Sequence, residues 1–220
     1  MRSTAERSPA SAILAAVLLA QAATVAWAHS EHAHPGTGRV EDEPRITFGD
    51  QLLSDQHGRS VHLKKDLVSD RIVVISFMYT QCTTVCPVVS AIMAKVQAQL
   101  GPRAGDSVSL ISITIDPVRD TPERLRDYAA LHRAGPGWAW LTGTVPAITA
   151  TLKSLRTWSP DIESHQPVFL VGDDATGQWS RFYGFTDPEA IVSRVESLQL
   201  ARVGASATAM RLASPQEVEP

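Results

Sequence analysis

The chain has 220 residues, 44% of them hydrophobic and 20% charged, with a formal net charge of −3. That composition is ordinary for a globular domain and excludes a collagenous or wholly disordered chain. No basic run or Arg/Lys patch points to nucleic acid.

Arg2 and Arg7 precede an uncharged stretch from Ser11 to Ala28 that ends in Ala26-Trp27-Ala28. This is the pattern of a secretory leader with a small-residue cleavage site, so residues 1–28 are expected to be a signal peptide. The stretch is at the short edge of what spans a bilayer, and an uncleaved anchor is the alternative. Either way the folded part is exported, and membrane contact is expected only through this segment. Residues 29–44 read as a flexible linker carrying His29, His32 and His34. These three could chelate Cu(II) loosely or be plain solvated side chains.

A folded domain is expected over residues 45–201. It opens with a hairpin, Ile46 to Leu53 and Ser60 to Leu63, around Asp55-Gln56-His57-Gly58, where Gly58 suits positive φ. Ile72 to Met78 is a continuous apolar, β-branched run, the pattern of a central strand buried on both faces. After Pro87 a helix carries Val88, Val89, Ile92, Val96 and Leu100 on one stripe and stops at Gly101-Pro102. A second buried strand runs from Ser107 to Ile115. Thr121-Pro122-Glu123 then caps a helix to about His132. A short strand around Trp138 to Leu141 precedes a helix from Pro146 to Leu155. Pro167 to Val171 and Gln178 to Tyr183 form a second hairpin, and Asp187-Pro188-Glu189 caps a last helix to about Leu200. Residues 202–220 are small and polar and read as a disordered tail. This order predicts an α/β fold of thioredoxin-like type, a mixed sheet flanked by helices with an N-terminal β-hairpin extension.

The chemistry centres on Cys82 and Cys86, the only cysteines, in Phe77-Met78-Tyr79-Thr80-Gln81-Cys82-Thr83-Thr84-Val85-Cys86-Pro87. They lie four apart between the buried strand and the helix, where a helix N-terminus favours thiolate over thiol. A bridge across four residues constrains the unfolded chain little, so the pair is read as functional, either redox-active or metal-binding. Two thiolates leave zinc two ligands short, whereas Cu(I) accepts two or three soft donors. His165, in the loop before the strand Pro167 to Val171, is the candidate third donor. His57, His62 and His132 read as exposed polar residues. Asp116, ending the adjacent strand, is expected to stand behind the site and accept a hydrogen bond from a ligand or docking partner. Asp120 and Thr121 read as the helix cap. Tyr79, Trp138, Trp140 and Trp158 are core or a docking rim.

Thr80-Gln81-Cys82-Thr83-Thr84-Val85-Cys86-Pro87, the stretch Asp116-Pro117-Val118-Arg119-Asp120-Thr121-Pro122-Glu123-Arg124-Leu125 and the later His165 together resemble the SCO/SenC family of copper chaperones. The resemblance covers roughly Phe48 to Leu200. It implies a thioredoxin-like fold, copper as Cu(I) or Cu(II) on Cys82, Cys86 and His165, and a role at the CuA centre of respiratory cytochrome oxidase. That role is copper delivery or thiol reduction, in the periplasm or on the outer face of the cytoplasmic membrane. The CuA-bearing subunit or another copper donor or acceptor is the implied partner, and a Cys82–Cys86 disulfide the implied oxidised form. Two other readings stay open. Pro167 before a strand resembles the cis-proline of thioredoxin-like reductases, which implies a periplasmic thiol-disulfide oxidoreductase. Thr83-Thr84-Val85-Cys86-Pro87 fits the T-x-x-C-P of peroxiredoxins.

Overall fold

The computed structural model describes residues 38–213. The expected leader, His29, His32, His34 and the end of the tail lie outside them. Among the described residues no helix is long and apolar enough to cross a membrane.

In chain order the elements are β1 (Val40–Glu43), β2 (Leu52–Asp55), β3 (Ser60–His62), a π-helical turn (Leu63–Val68), β4 (Ile72–Met78), α1 (Val85–Leu100), β5 (Val108–Thr114), α2 (Pro122–Leu131), β6 (Trp138–Thr142), α3 (Val145–Ser154), β7 (Val168–Asp173), β8 (Gln178–Tyr183) and α4 (Pro188–Ala213). The strands form one sheet in the order β1-β8-β7-β4-β5-β6-β2-β3. β4, β5 and β6 are parallel, and β7 runs antiparallel to β4. The expected thioredoxin-like arrangement is present, and the β2–β3 hairpin extends it beyond β6. Gly58 turns that hairpin at φ +75°.

β4 is buried along its whole length because both faces of the sheet are covered. Ile72, Val74 and Met78 pack with α1, α2 and α4, whereas Val73, Ile75 and Phe77 pack with α3 and the amino-terminal hairpin. Each such side chain contributes about 1.5–3 kcal/mol by leaving water. On α1 the buried stripe is Val89, Ile92, Met93, Val96 and Leu100. Val88, expected on it, is exposed, because the face turns toward Met93 instead.

Three segments differ from the expected boundaries. The first strand of the hairpin is Leu52–Asp55 and not Ile46 to Leu53. Val40–Glu43 is a strand inside the span read as linker. It lacks apolar alternation because polar contacts across the pair hold it: Glu43 meets buried Arg181, Asp42 accepts from Ser180 and Glu41 from Tyr183. At the other end, α4 runs on to Ala213 through residues read as tail. Arg202 anchors the extension by bonding Asp173 on β7.

The parallel pairing of β4 and β5 brings the loops that follow them to one end of the sheet. Because β7 is antiparallel, the loop before it arrives at the same end. Cys82, Asp116 to Asp120 and His165 are therefore gathered by topology at the carboxyl end of β4, where open α/β sheets bind ligands.

Candidate metal and redox centre

Tyr79 to Thr84 form the turn from β4 into α1. Cys82 donates its N–H to the Tyr79 carbonyl at 3.2 Å. Cys86 lies in the first turn of α1 and donates its N–H to the Cys82 sulfur, also at 3.2 Å. The residue before α1, Thr84, makes no side-chain cap, so the Cys82 sulfur satisfies one of the helix's otherwise unpaired N–H groups. The two cysteines thus meet, with Cys82 just ahead of the helix rather than on it. Both thiols are free and buried, with 8% and 6% of their surface exposed.

Their environments push them apart. Burial pushes the Cys82 thiol up, but hydrogen bonds from the Cys86 thiol and from the N–H groups of Cys86, Thr84 and Val85 outweigh it. The net effect lowers Cys82 to about 7. Cys86 is pushed up to about 12 by deeper burial and by its hydrogen bond to Cys82, only partly offset by the Tyr79 N–H. One sulfur is a thiolate near neutral pH and its neighbour keeps the proton. This pair can attack a disulfide or take a soft cation through two sulfurs.

Asp120 was read from sequence as part of a helix cap, and the structure gives it another task. Thr121 alone caps α2, accepting from the Arg124 N–H. Asp120 is buried and accepts the Thr80 N–H and hydroxyl and the Thr114 hydroxyl. It ties the loop after β5 to the cysteine turn. Burial raises its carboxyl, against the pull of the two threonines. The signal lay in the sequence as a D-T-P cap pattern, which hides a second, inward-facing acid. Asp116 is 4% exposed at the same end of the sheet, but its carboxylate pairs with Arg119 at 2.9 Å.

His165 sits apart from the sulfurs. Its ring packs on Phe77 at 5.9 Å between centroids, on the side of β4 opposite the Cys82 and Cys86 cluster. Burial lowers its imidazole, with the Thr157 carbonyl opposing. Cavities of about 410 and 210 Å³ flank its loop, the smaller one shared with Asp116, Val118, Val145 and Trp158. Among the described residues no three His, Cys, Asp or Glu side chains are close enough to enclose a metal ion. The two sulfurs fit a soft cation, and His165 is not grouped with them in this arrangement. The cis-proline expected by the reductase reading is absent: among the described residues every peptide bond is trans, Gln166–Pro167 included.

Sequence reasoning left the aromatics undecided. Trp138 and Trp140 are core, Trp158 is exposed on the groove beside His165, and Tyr79 lies half-buried against Cys82.

A family described as SCO1/SenC matches residues 41–199. The chain belongs to the SCO1/SenC family. A protein of Stutzerimonas stutzeri described as a putative copper-binding protein is 33% identical over 82 residues, 37% of this chain and 39% of that one. This chain therefore spans well under half of that relative. Among solved SCO proteins, ScoI of Bradyrhizobium japonicum, determined with copper bound, is 27% identical at a TM-score of 0.58. That match covers 69% of this chain and 98% of ScoI. BsSco, a member of the Sco family of cytochrome c oxidase assembly proteins with a disulfide switch, is 27% identical at a TM-score of 0.59. There the match covers 72% and 96% of the two chains.

Proposed function

We propose that this SCO1/SenC protein is an exported copper metallochaperone serving the CuA site of a respiratory cytochrome oxidase, by delivering copper or by reducing that site's thiols. Copper is its cargo, held as Cu(I) or Cu(II) by Cys82, Cys86 and His165. The observation that carries this reading is the buried dithiol at the carboxyl end of β4, one sulfur lowered to about 7 and both within reach of a single soft cation. The copper-bound ScoI structure and the relative described as a putative copper-binding protein support the cargo, and BsSco supports the oxidase connection and the disulfide. The periplasm or the outer face of the cytoplasmic membrane is its place of work, argued from the leader pattern.

The same asymmetric pair supports thiol-disulfide exchange as a second reading, with Cys82 attacking and Cys86 resolving. One experiment separates the two. Reduced protein is expected to bind one copper per chain and the disulfide form essentially none, since both uses need the same lone pairs. His165→Ala should lose copper affinity at least tenfold while the disulfide still forms. Undiminished affinity in that variant removes His165 from the ligand set. Equal copper retention by oxidised and reduced protein removes the cysteines and leaves the exchange reading.

A further inference from the structure

The end of β8 and the segment after α3 enclose two cavities that share Arg156 and Arg181. The smaller, about 220 Å³, is lined by Arg45, Arg156 and Arg181. The larger, about 410 Å³, runs on past Trp158 to Ser164 and His165. Among the described residues Glu43 is the one acidic side chain lining either cavity, and Asp161 and Glu163 of the neighbouring loop line neither. Three guanidiniums therefore share one carboxylate, in a chain whose net charge is −3.

Arg181 is 4% exposed. Its Nε bonds Glu43 and its Nη2 the Leu155 carbonyl at 2.9 Å, while its Nη1 has no hydrogen-bond partner among the described residues. A guanidinium carries five donors, and this one has donors to spare at the junction of two cavities. Arg156 meets Glu43 only at 3.4 Å and keeps 64% of its side chain exposed, a pairing worth little. Arg45 donates to the Asp174 carbonyl, a neutral acceptor, while the Asp174 carboxylate pairs with Lys64. Lys153 adds a fourth cation, 4.9 Å from the exposed Trp158 ring. Planar guanidiniums in a concavity match a carboxylate side chain, and Trp158 offers an anchor for an apolar neighbour. A lipid surface would touch Lys153 and Arg156 without reaching buried Arg181. We propose that this cleft docks an acidic segment of the protein that exchanges copper with the dithiol. One of its carboxylates enters between Arg45, Arg156 and Arg181, which places the partner beside His165. The partner's role in this inference rests on copper being the cargo, whereas the charge match stands on its own.

The test titrates the protein with a fluorescein-labelled peptide rich in aspartate and glutamate and carrying one leucine, and with a control peptide in which asparagine and glutamine replace the acids. Wild type should bind the acidic peptide, lose affinity as salt rises and ignore the control. Arg45→Glu and Arg156→Glu should each weaken binding at least tenfold. Arg126→Glu, on α2 and lining neither cavity, makes the same change in net charge and should alter affinity less than about threefold. Equal loss in all three variants overturns the site as a general charge effect, and so does equal binding of the two peptides or binding of neither. Amide NMR of wild type decides without any substitution: the acidic peptide should shift Arg156 to Trp158 and Arg181, and shifts confined elsewhere overturn the proposal. Binding to phosphatidylglycerol vesicles that Arg156→Glu abolishes, without peptide binding, assigns the cations to a membrane and overturns it too. Copper titration of the same wild-type sample reports separately. Protein that binds the peptide but takes no copper overturns the cargo reading and leaves the cleft, and protein that takes copper but not the peptide overturns the cleft and leaves the cargo.

Discussion

Asp120 accepts the Thr80 N–H with both carboxylate oxygens, at 3.1 and 3.2 Å, and so fastens the loop after β5 to the turn that carries the cysteines. Asp120→Ala strands the Thr80 N–H and the hydroxyls of Thr80 and Thr114 in a buried place. It should cost on the order of 2–3 kcal/mol in urea unfolding. Asp120→Asn keeps an acceptor and removes a buried charge, so it should lose less than half as much. Equal stability of wild type and Asp120→Ala would mean the tie contributes nothing.

The two thiols of the reduced, unloaded protein should titrate far apart. Cys82 is lowered to about 7 by the helix N–H groups and the Cys86 thiol acting against burial, and Cys86 is pushed up to about 12. Only the thiolate alkylates. The rate at Cys82 should therefore rise through a midpoint near pH 7 and level off above it, with Cys86 unmodified across that range. Mass spectrometry of singly labelled protein checks both statements. Label distributed evenly between the two residues would show that the asymmetry is absent in solution.

The elements that set the site were legible because burial fixes their pattern. Ile72 to Met78 reads as a two-sided strand and is one. The cysteines at its end do meet, but through the turn before α1 and not along one helix face. What escaped was held by side-chain chemistry between distant residues. Nothing in Val40-Glu41-Asp42-Glu43 announces a strand until Arg181, Ser180 and Tyr183 stand opposite it. Asp120 looked like a cap because a cap and an inward hydrogen-bond acceptor share the same residue type. The position of His165 was legible only to the level of its loop: topology brings the loop to the right end of the sheet, while packing on Phe77 decides where the ring rests.

The C-terminal extension of α4 carries a pH-dependent part of the stability. Asp173 is fully buried at the end of β7 and accepts two bonds from Arg202, at 2.6 and 2.7 Å, and one from the Ala175 N–H at 2.9 Å. Burial pushes its carboxyl up, but the Arg202 guanidinium and the Ala175 N–H outweigh it and hold it below the usual aspartate range. A carboxyl lowered in the folded state contributes stability that is complete above its unfolded value and is lost as pH falls through the folded one. Arg202→Ala leaves Asp173 buried without its cation and should cost on the order of 2 kcal/mol at pH 7. The gap between wild type and variant should close as pH falls, starting where the variant's Asp173, buried without its cation, takes up a proton in the folded state and ending below the lowered wild-type carboxyl. Urea unfolding at pH 7 and at successive acid points measures it. A gap that stays constant down the acid limb would assign the effect to the packing of the helix end and not to the ion pair.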